Sequence, residues 1–455
     1  MSMISRMPMK PLVARFALVA GMALSAGSLQ AAPNPEQAMP ATLDLKTAID
    51  FALENNFAIR EARERIRQQS GVEIQVRARE IPNVSASGSY TGNAKEISQY
   101  TPQTSDSWNI SLQARQLLFA GGGVTASIKG ARLTREAAEL EMEGVINQQL
   151  LAVRTQFFTV LLGKEKITVQ EENVRLLEKQ LQDAQSRFNA GSTSNFDVLR
   201  AQVALANGQP PLIQARNDYR IAIEQLRQVL GFVSLTVGAD VARVPEISGS
   251  LAVGEQVKID LSDALVAAHA KRPELLQLAR VEEAGEQNIK AVRAGSLPEF
   301  DLVGGYLWTR NPFSGTFNDN LHGWTAGVQA QWNIFDGRAT AGRVVQARSQ
   351  LEQAKLSLAQ TTLAVDVQVR QAYSSLIEAW ELVQASAKTI DEAQEALRLA
   401  NVRYSVGTAT QLDVLTSQVA LTEARLNELQ AGYGYNVAVA TLRQAMGQAD
   451  EFVRS

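Results

Sequence analysis

The sequence contains no cysteine and only two histidines, His269 and His322. Without Cys there is no disulfide framework, no thiolate metal site and no thiol nucleophile, and with two isolated histidines a Ser-His catalytic group or a His-rich metal centre lacks material. Gly121-Gly122-Gly123 is not followed by Lys-Ser/Thr, so it is not a phosphate-binding loop; it reads as a strand-to-helix corner, matched by Gly337. No enzyme and no cofactor is legible in these residues. The net charge of -3 leaves no basic surplus for nucleic acid. Past the first 32 residues there is no apolar run of about 20, the length a membrane helix needs, so a membrane-inserted form would have to use strands. Proline is missing from 122–188 and from 338–404, which permits two helices of about 100 Å each at 1.5 Å per residue.

The N-terminus carries Arg6, Lys10 and Arg15, then an apolar run from Phe16 to Ala26 and small residues at Ala31 and Ala32. This is the layout of a secretory signal peptide, residues 1–31, followed by an extension over 32–42. The expected cleavage point has no Cys to carry a lipid.

One internal offset, 216 residues, dominates the rest. Leu43-Asp44-Leu45 matches Ile259-Asp260-Leu261, Pro82 matches Pro298, Leu118-Phe119-Ala120-Gly121 matches Ile334-Phe335-Asp336-Gly337, and Leu226-Arg227-Gln228 matches Leu442-Arg443-Gln444. Over 187–205 against 403–421, nine of nineteen positions are identical, more than shared helical composition explains. The expectation is a duplication: a first copy at 43–232, a linker at 233–258, a second copy at 259–448 and a tail at 449–455.

Each copy reads as a helical segment, a Pro, two alternating segments, a long helix, a Gly-centred break and a return helix. In the second long helix Val369, Tyr373, Leu376, Trp380, Val383, Ala387 and Ile390 alternate spacings of four and three, a heptad seam that implies supercoiling against a partner. Ile167, Gln170, Val174, Leu177, Leu181, Ala184 and Phe188 repeat it in the first copy. The shorter helices, about 45–80 and 196–229, would stack end to end beside one long helix. Pro210-Pro211, replaced by Leu426 and Asn427 in the second copy, predicts a kink or break in the first return helix.

The alternating segments are 83–91, 108–117, 302–308 and 324–334. Trp324, Ala326, Val328, Ala330, Trp332 and Ile334 fall on one face, with Thr325, Gly327, Gln329, Gln331 and Asn333 on the other. Alternation alone fits a soluble sheet with one buried face equally well. Aromatic residues near strand ends, lengths of about ten residues and an opposite face of Ser, Thr, Asn and Gln favour a membrane barrel with a wet lumen. Four strands are too few to close one, since eight is about the smallest spanning number, so several chains must contribute; three would give twelve strands and a tube of twelve helical columns.

The two breaks read RFNAGSTSNFDVL at 187–199 and RYSVGTATQLDVL at 403–415. Gly191 and Gly407 suit the left-handed end of a helix. Ser194 and Thr410 stand three residues before Asp197 and Asp413, the spacing of a capping box, and Asp413 is open both to capping and to facing a pore. Arg187 and Arg403 suit the last helical turn.

Duplication, signal peptide, two strand pairs and two such tips together resemble the TolC family of outer-membrane efflux and secretion channels. The resemblance implies an α+β membrane protein located in the outer membrane with a long periplasmic extension: a homotrimeric 12-stranded β-barrel in outer-membrane lipid, continuous with a helical coiled-coil barrel. It also implies a periplasmic adaptor protein and an inner-membrane pump or ABC transporter as partners. Carried onto this chain, Ala190, Gly191 and Ser192 with Val406, Gly407 and Thr408 match the adaptor-docking tips. Asp413 matches an acid lining the periplasmic constriction, and Tyr404 and Asp197 match a pair whose hydrogen bond holds it shut. Thr416 stands where the best-known branch has a second acid, and Ala409 where it has an Arg. The competing readings are a trimeric coiled-coil adhesin, whose strands should be contiguous at the C-terminus, and a periplasmic adaptor, which should have one hairpin. The loops 93–105 and 310–321 are expected to face outside.

Overall fold

A computed structural model of the chain describes residues 42–92, 106–232, 245–311, 317–448 and 452. The expected signal peptide, residues 233–244 of the expected linker and the loop at 93–105 lie outside the described residues. Elements follow one another in the same order twice. The first set is β1 (Thr42–Leu43), α1 (Leu45–Asn55), α2 (Phe57–Arg77), β2 (Asn83–Gly92), β3 (Asp106–Ala120), α3 (Gly123–Asn189) and α4 (Asn195–Leu230). The second is β4 (Glu246–Ile247), α5 (Leu261–Lys271), α6 (Pro273–Arg293), β5 (Glu299–Arg310), β6 (Asn320–Gln331), α7 (Ala339–Ser405) and α8 (Gln411–Ala445). α3 and α7 have 67 residues each and reach about 100 Å. No helix among the described residues is long and apolar enough to cross a membrane.

Each long helix is flanked by two shorter ones that meet beside its middle. α2 runs antiparallel to the first part of α3, tied to it by Arg65–Glu141 (2.5 Å) and Arg135–Glu73 (2.9 Å). α4 runs antiparallel to the rest, with Gln156 donating to the Ala222 carbonyl and Arg216 pairing with Glu171. Apolar side chains gather where these helices meet. Leu43, Ile49, Leu150, Phe157, Leu226 and Leu230 belong to the first core, and Val365, Val369, Leu376, Tyr435, Leu442 and Met446 to the second.

The junction departs from the expected single helix over 45–80. Asn56 leaves helical geometry with ψ 129°, and its buried side chain caps α2 by accepting from the Ala58 and Ile59 N–H groups. Its amide also donates to the Val229 carbonyl at 2.6 Å, so one side chain joins three helices. In the second copy the break falls at Arg272, because Pro273 disfavours helical geometry in the residue before it. Arg272 reaches the carbonyls of Gln444 and Ala445, both at 3.4 Å, at the corresponding end of α8.

One further expectation is corrected and another refined. α4 continues through Pro210 and Pro211 without a break. The carbonyls left without N–H donors belong to Ala206 and Asn207, both exposed, so water can satisfy them, while Gly208 seats the helix against Leu177 of α3. The seam of α7 is centred on Val365, Val369, Ala372, Leu376 and Ala379, with the expected Tyr373, Trp380 and Val383 packed half-buried against the same core along its flank. Small residues at the centre allow close helix approach and the rings fill the sides; the Trp380 and Tyr435 rings lie 5.5 Å apart.

The four long strands form one antiparallel sheet in the order β2-β3-β5-β6. Because Ala86 pairs with Leu112, Leu112 with Tyr306 and Tyr306 with Trp324, the apolar positions of all four strands share one face. β6 ends at Gln331, so Trp332 and Ile334 are not strand residues as expected. Its partner β5 begins at Glu299, preceded by Pro298, and the ladder has nothing further to pair with.

Candidate functional site

Two parts of the fold carry chemistry: the sheet and the two helical tips. The apolar face of the sheet is open to solvent in the single chain, with Trp324 77% exposed and Val84, Leu112, Tyr306 and Val328 also exposed. At its loop-proximal end Trp108 and Trp308 meet edge to face at 5.6 Å. The opposite face is polar and hydrogen-bonded, with Ser87 to Ser111 at 2.8 Å and Ser89 donating to Asn109 at 3.1 Å. It is not purely uncharged: Arg115 pairs with Asp301 at 2.5 Å and lies 3.7 Å from Glu299 near the helical end. The alternation of β5 alone gave no sign of that pair, since Asp301 sits one residue before the segment read as a strand.

At each tip, the long helix closes with a glycine in the left-handed region, Gly191 at φ +74° and Gly407 at φ +77°. The N–H groups of Gly191 and Ser192 donate back to the carbonyls of Phe188 and Arg187, and those of Gly407 and Thr408 to Tyr404 and Arg403. This satisfies carbonyls that a helix end leaves open and fixes a reproducible projecting turn. Ala190, Gly191, Ser192, Val406, Gly407 and Thr408 are all exposed, Val406 at 68%.

The return helices start differently. Thr410 and Asp413 form the reciprocal capping box: the Thr410 N–H donates to Asp413 Oδ2 at 2.7 Å and the Asp413 N–H to Thr410 Oγ1 at 3.4 Å. At the other tip the expected box does not close. The hydroxyls of Thr193 (2.5 Å) and Ser194 (3.1 Å) both donate to Asp197 Oδ2, and the Asp197 N–H goes to the Ser194 carbonyl instead. Both carboxyls titrate below the usual carboxylate range. For Asp413 the Thr410 N–H and then its hydroxyl hold the charged form, with Arg403 adding attraction. For Asp197 the Thr193 hydroxyl is the leading cause.

Asp413 and Thr416 are exposed one turn apart on α8. Tyr404 and Asp197 are not hydrogen-bonded to each other among the described residues. The Tyr404 ring instead lies under the Arg187 guanidinium, 4.5 Å from its centroid, so Arg187 links the two tips rather than only solvating its own helix end. Asp197 sits 3.9 Å from Arg200, which covers Phe196. Sequence reading also missed a polar clasp between α3 and α8 behind the tips, centred on the buried Gln418. Gln418 donates to Asn173 at 3.0 Å and accepts from Gln180, and Arg425 pairs with Glu172 at 2.5 Å. The only prior sign was the polar Gln170 in an otherwise apolar seam.

Comparison with known proteins bears on the family and the fold. The pattern of the outer membrane efflux protein family matches residues 48–232 and 264–448. The chain is 25% identical over 367 residues to the alkaline protease secretion protein AprF of Pseudomonas aeruginosa, covering 79% of this chain and 73% of AprF. It is 25% identical over 371 residues to the outer membrane protein TolC of Escherichia coli, covering 76% and 71%. Among solved structures, a CusC crystal structure superposes with a TM-score of 0.75 at 20% identity, covering 90% of this chain and 94% of that one, which shows the shared fold.

Proposed function

Because this chain belongs to the outer membrane efflux protein family, we propose that it is the exit duct of a tripartite efflux pump or type I secretion system, gated at its periplasmic tips. It is an outer-membrane protein with a long periplasmic helical extension, and its family is one of efflux channels rather than enzymes. The observation that carries the reading is the four-stranded sheet, apolar on one exposed face and hydrogen-bonded on the other, continuous with two helices of about 100 Å. Lipid tolerates no open strand edge, and β2 and β6 each have one. Three copies close twelve strands into a barrel whose wet face becomes the lumen.

In this homotrimer the exposed turns Ala190-Gly191-Ser192 and Val406-Gly407-Thr408 dock a periplasmic adaptor, which joins the duct to an inner-membrane pump or ABC transporter. Three Asp413 carboxylates surround the periplasmic constriction, with Thr416 one turn further in, and they favour cations. Asp197, Tyr404 and Arg187 hold the neighbouring tip against it. Type I secretion is supported by the likeness to AprF, whose name is that of a protease secretion protein.

Single-channel recording across a planar bilayer, with purified wild type beside Asp413→Asn, tests this reading. Wild type should conduct with cation preference and Asp413→Asn should lose much of that preference. Absence of any pore contradicts the channel; unchanged selectivity contradicts the place given to Asp413.

A further inference from the structure

The apolar face of the sheet is not uniform. At the strand ends away from the helices it holds an open groove of about 720 Å³, a volume in the range of small-molecule sites. The floor is Gly88, which pairs with Ile110 and has no side chain to fill the space in front of it. Tyr90, Trp108 and Trp308 stand around that floor, on the face they share with Leu112 and Tyr306 by the period of two. Phe317, from the turn that precedes β6, lines the outward end.

A charge pair holds that end in place. Arg310 and Asp106 stand two residues beyond Trp308 and Trp108 and so on the same face. Arg310 is 5% exposed, yet it pairs with the Asp106 carboxylate at 2.6 Å, donates to the Asp106 carbonyl at 2.6 Å and lies 5.2 Å from the centroid of the Phe317 ring. A buried ion pair is weak evidence for stability, because desolvation offsets much of its attraction. Here it fixes the wall of the groove, since a guanidinium removed from water is drawn more strongly to an aromatic face. The outward rim is polar. Asn318 and Asn320 line the groove there, and His322, paired with Trp308, stacks its ring on Tyr306 at 6.3 Å. The groove is therefore apolar along its floor and carries amide and imidazole groups at its mouth.

We propose that this groove binds an acyl chain of a phosphorylated glycolipid, with the lipid head against Asn318, Asn320 and His322. The proposal rests on the outer-membrane reading above, which puts this face in lipid and this end of the strands in the leaflet away from the periplasm. That leaflet selects the occupant, because in an outer membrane it is built of acylated, phosphate-bearing glycolipid whereas phospholipid lines the periplasmic side. Shape supplies the retention. A chain lying over Gly88 between the three rings and under Phe317 is covered on several sides, whereas one lying against Val84 or Val328, both exposed outside the groove, touches the protein on one side only.

The test incubates purified protein in detergent with purified lipid A or with phosphatidylethanolamine and counts bound lipid by native mass spectrometry. Gly88→Leu fills the floor; its Cβ would meet only the Asn109 carbonyl oxygen at 3.7 Å and Ile110 Cγ1 at 4.0 Å, which are ordinary contacts that leave the strand in place. Phe317→Ala removes the end wall and spares the floor, and Val84→Ala trims the same face outside the groove. Wild type should retain lipid A at up to one per chain, Gly88→Leu and Phe317→Ala should each bind it at least about tenfold more weakly, and Val84→Ala should match wild type. Equal retention of phosphatidylethanolamine overturns the choice of glycolipid. Loss in all three variants alike, or in neither groove variant, overturns the site and leaves only lipid in general contact with the sheet. Planar-bilayer conductance separates this from the reading beneath it: a wild type that forms no pore overturns both, whereas conducting protein whose lipid does not depend on the groove overturns this proposal alone.

Discussion

Gly407→Ala and Gly447→Ala make the same chemical change at nearly the same backbone conformation, φ +77° and +67°, and should differ sharply in effect. Both glycines end a helix through the same pair of backward hydrogen bonds, Gly407 to Tyr404 and Gly447 to Gln444. A left-handed residue other than Gly costs about 1–2 kcal/mol, and about 0.4–1 kcal/mol of that is offset by the stiffer unfolded chain. At 407 nothing lies within 4 Å of the added Cβ, so the net loss should stay near about 1 kcal/mol. At 447 the Cβ would stand 2.7 Å from the Lys271 carbonyl carbon and 2.8 Å from the Arg272 nitrogen, atoms of backbone that cannot rotate away. Relieving that contact adds about 1–3 kcal/mol and pulls Arg272 from the Gln444 and Ala445 carbonyls it reaches. Amide exchange by mass spectrometry should show Gly407→Ala loosening only the tip, and Gly447→Ala raising exchange in both 265–275 and 440–448. Equal effects of the two substitutions, or a larger one at 407, would refute the reasoning.

Asn56→Ala removes the cap of α2 and strips the Val229 carbonyl of its donor, a combined loss of about 2–4 kcal/mol. Exchange should rise at 52–60 and 226–231 together; a rise confined to α2 would mean that the tie to α4 contributes nothing. For Asp413, the folded carboxyl titrates below its usual value, so the cap is fully present above the unfolded pKa and is lost as pH falls through the lower folded one. Tip protection at 405–415 should therefore be the same at about pH 7 and about pH 5 and fall only in stronger acid, near or below the ordinary Asp value of about 3.9. Loss of protection already at about pH 6 would contradict this.

Much of the fold was legible because the relevant signals are long. Long stretches without Pro that also carry heptad spacing read as helix, and the α3 and α7 ends fall within a residue or two of the expected 122–188 and 338–404. Period-two alternation gave the shared apolar face, because register locks to it. Short-range events were harder to read. Asn56 breaks a helix by bonding to residues about 90 and 170 positions away, which no local pattern records, although Arg272-Pro273 carried a local warning. Pro210-Pro211 looked like a break because local rules cannot see that α3 holds the helix from one side while its orphan carbonyls lie on exposed residues on the other. At the tips the glycines and the Thr410–Asp413 box were readable from spacing. The Arg187–Tyr404 contact was not, since it depends on how two hairpins lie against each other.

Electron cryomicroscopy of the purified protein in lipid nanodiscs tests most directly the claim that this chain builds one third of a continuous duct. It should show three copies, twelve strands closed into one barrel with β6 of each copy beside β2 of the next, and helices continuing from it by about 100 Å. A barrel closed within a single chain, or a four-stranded sheet packed face-on against protein outside the bilayer, would contradict it.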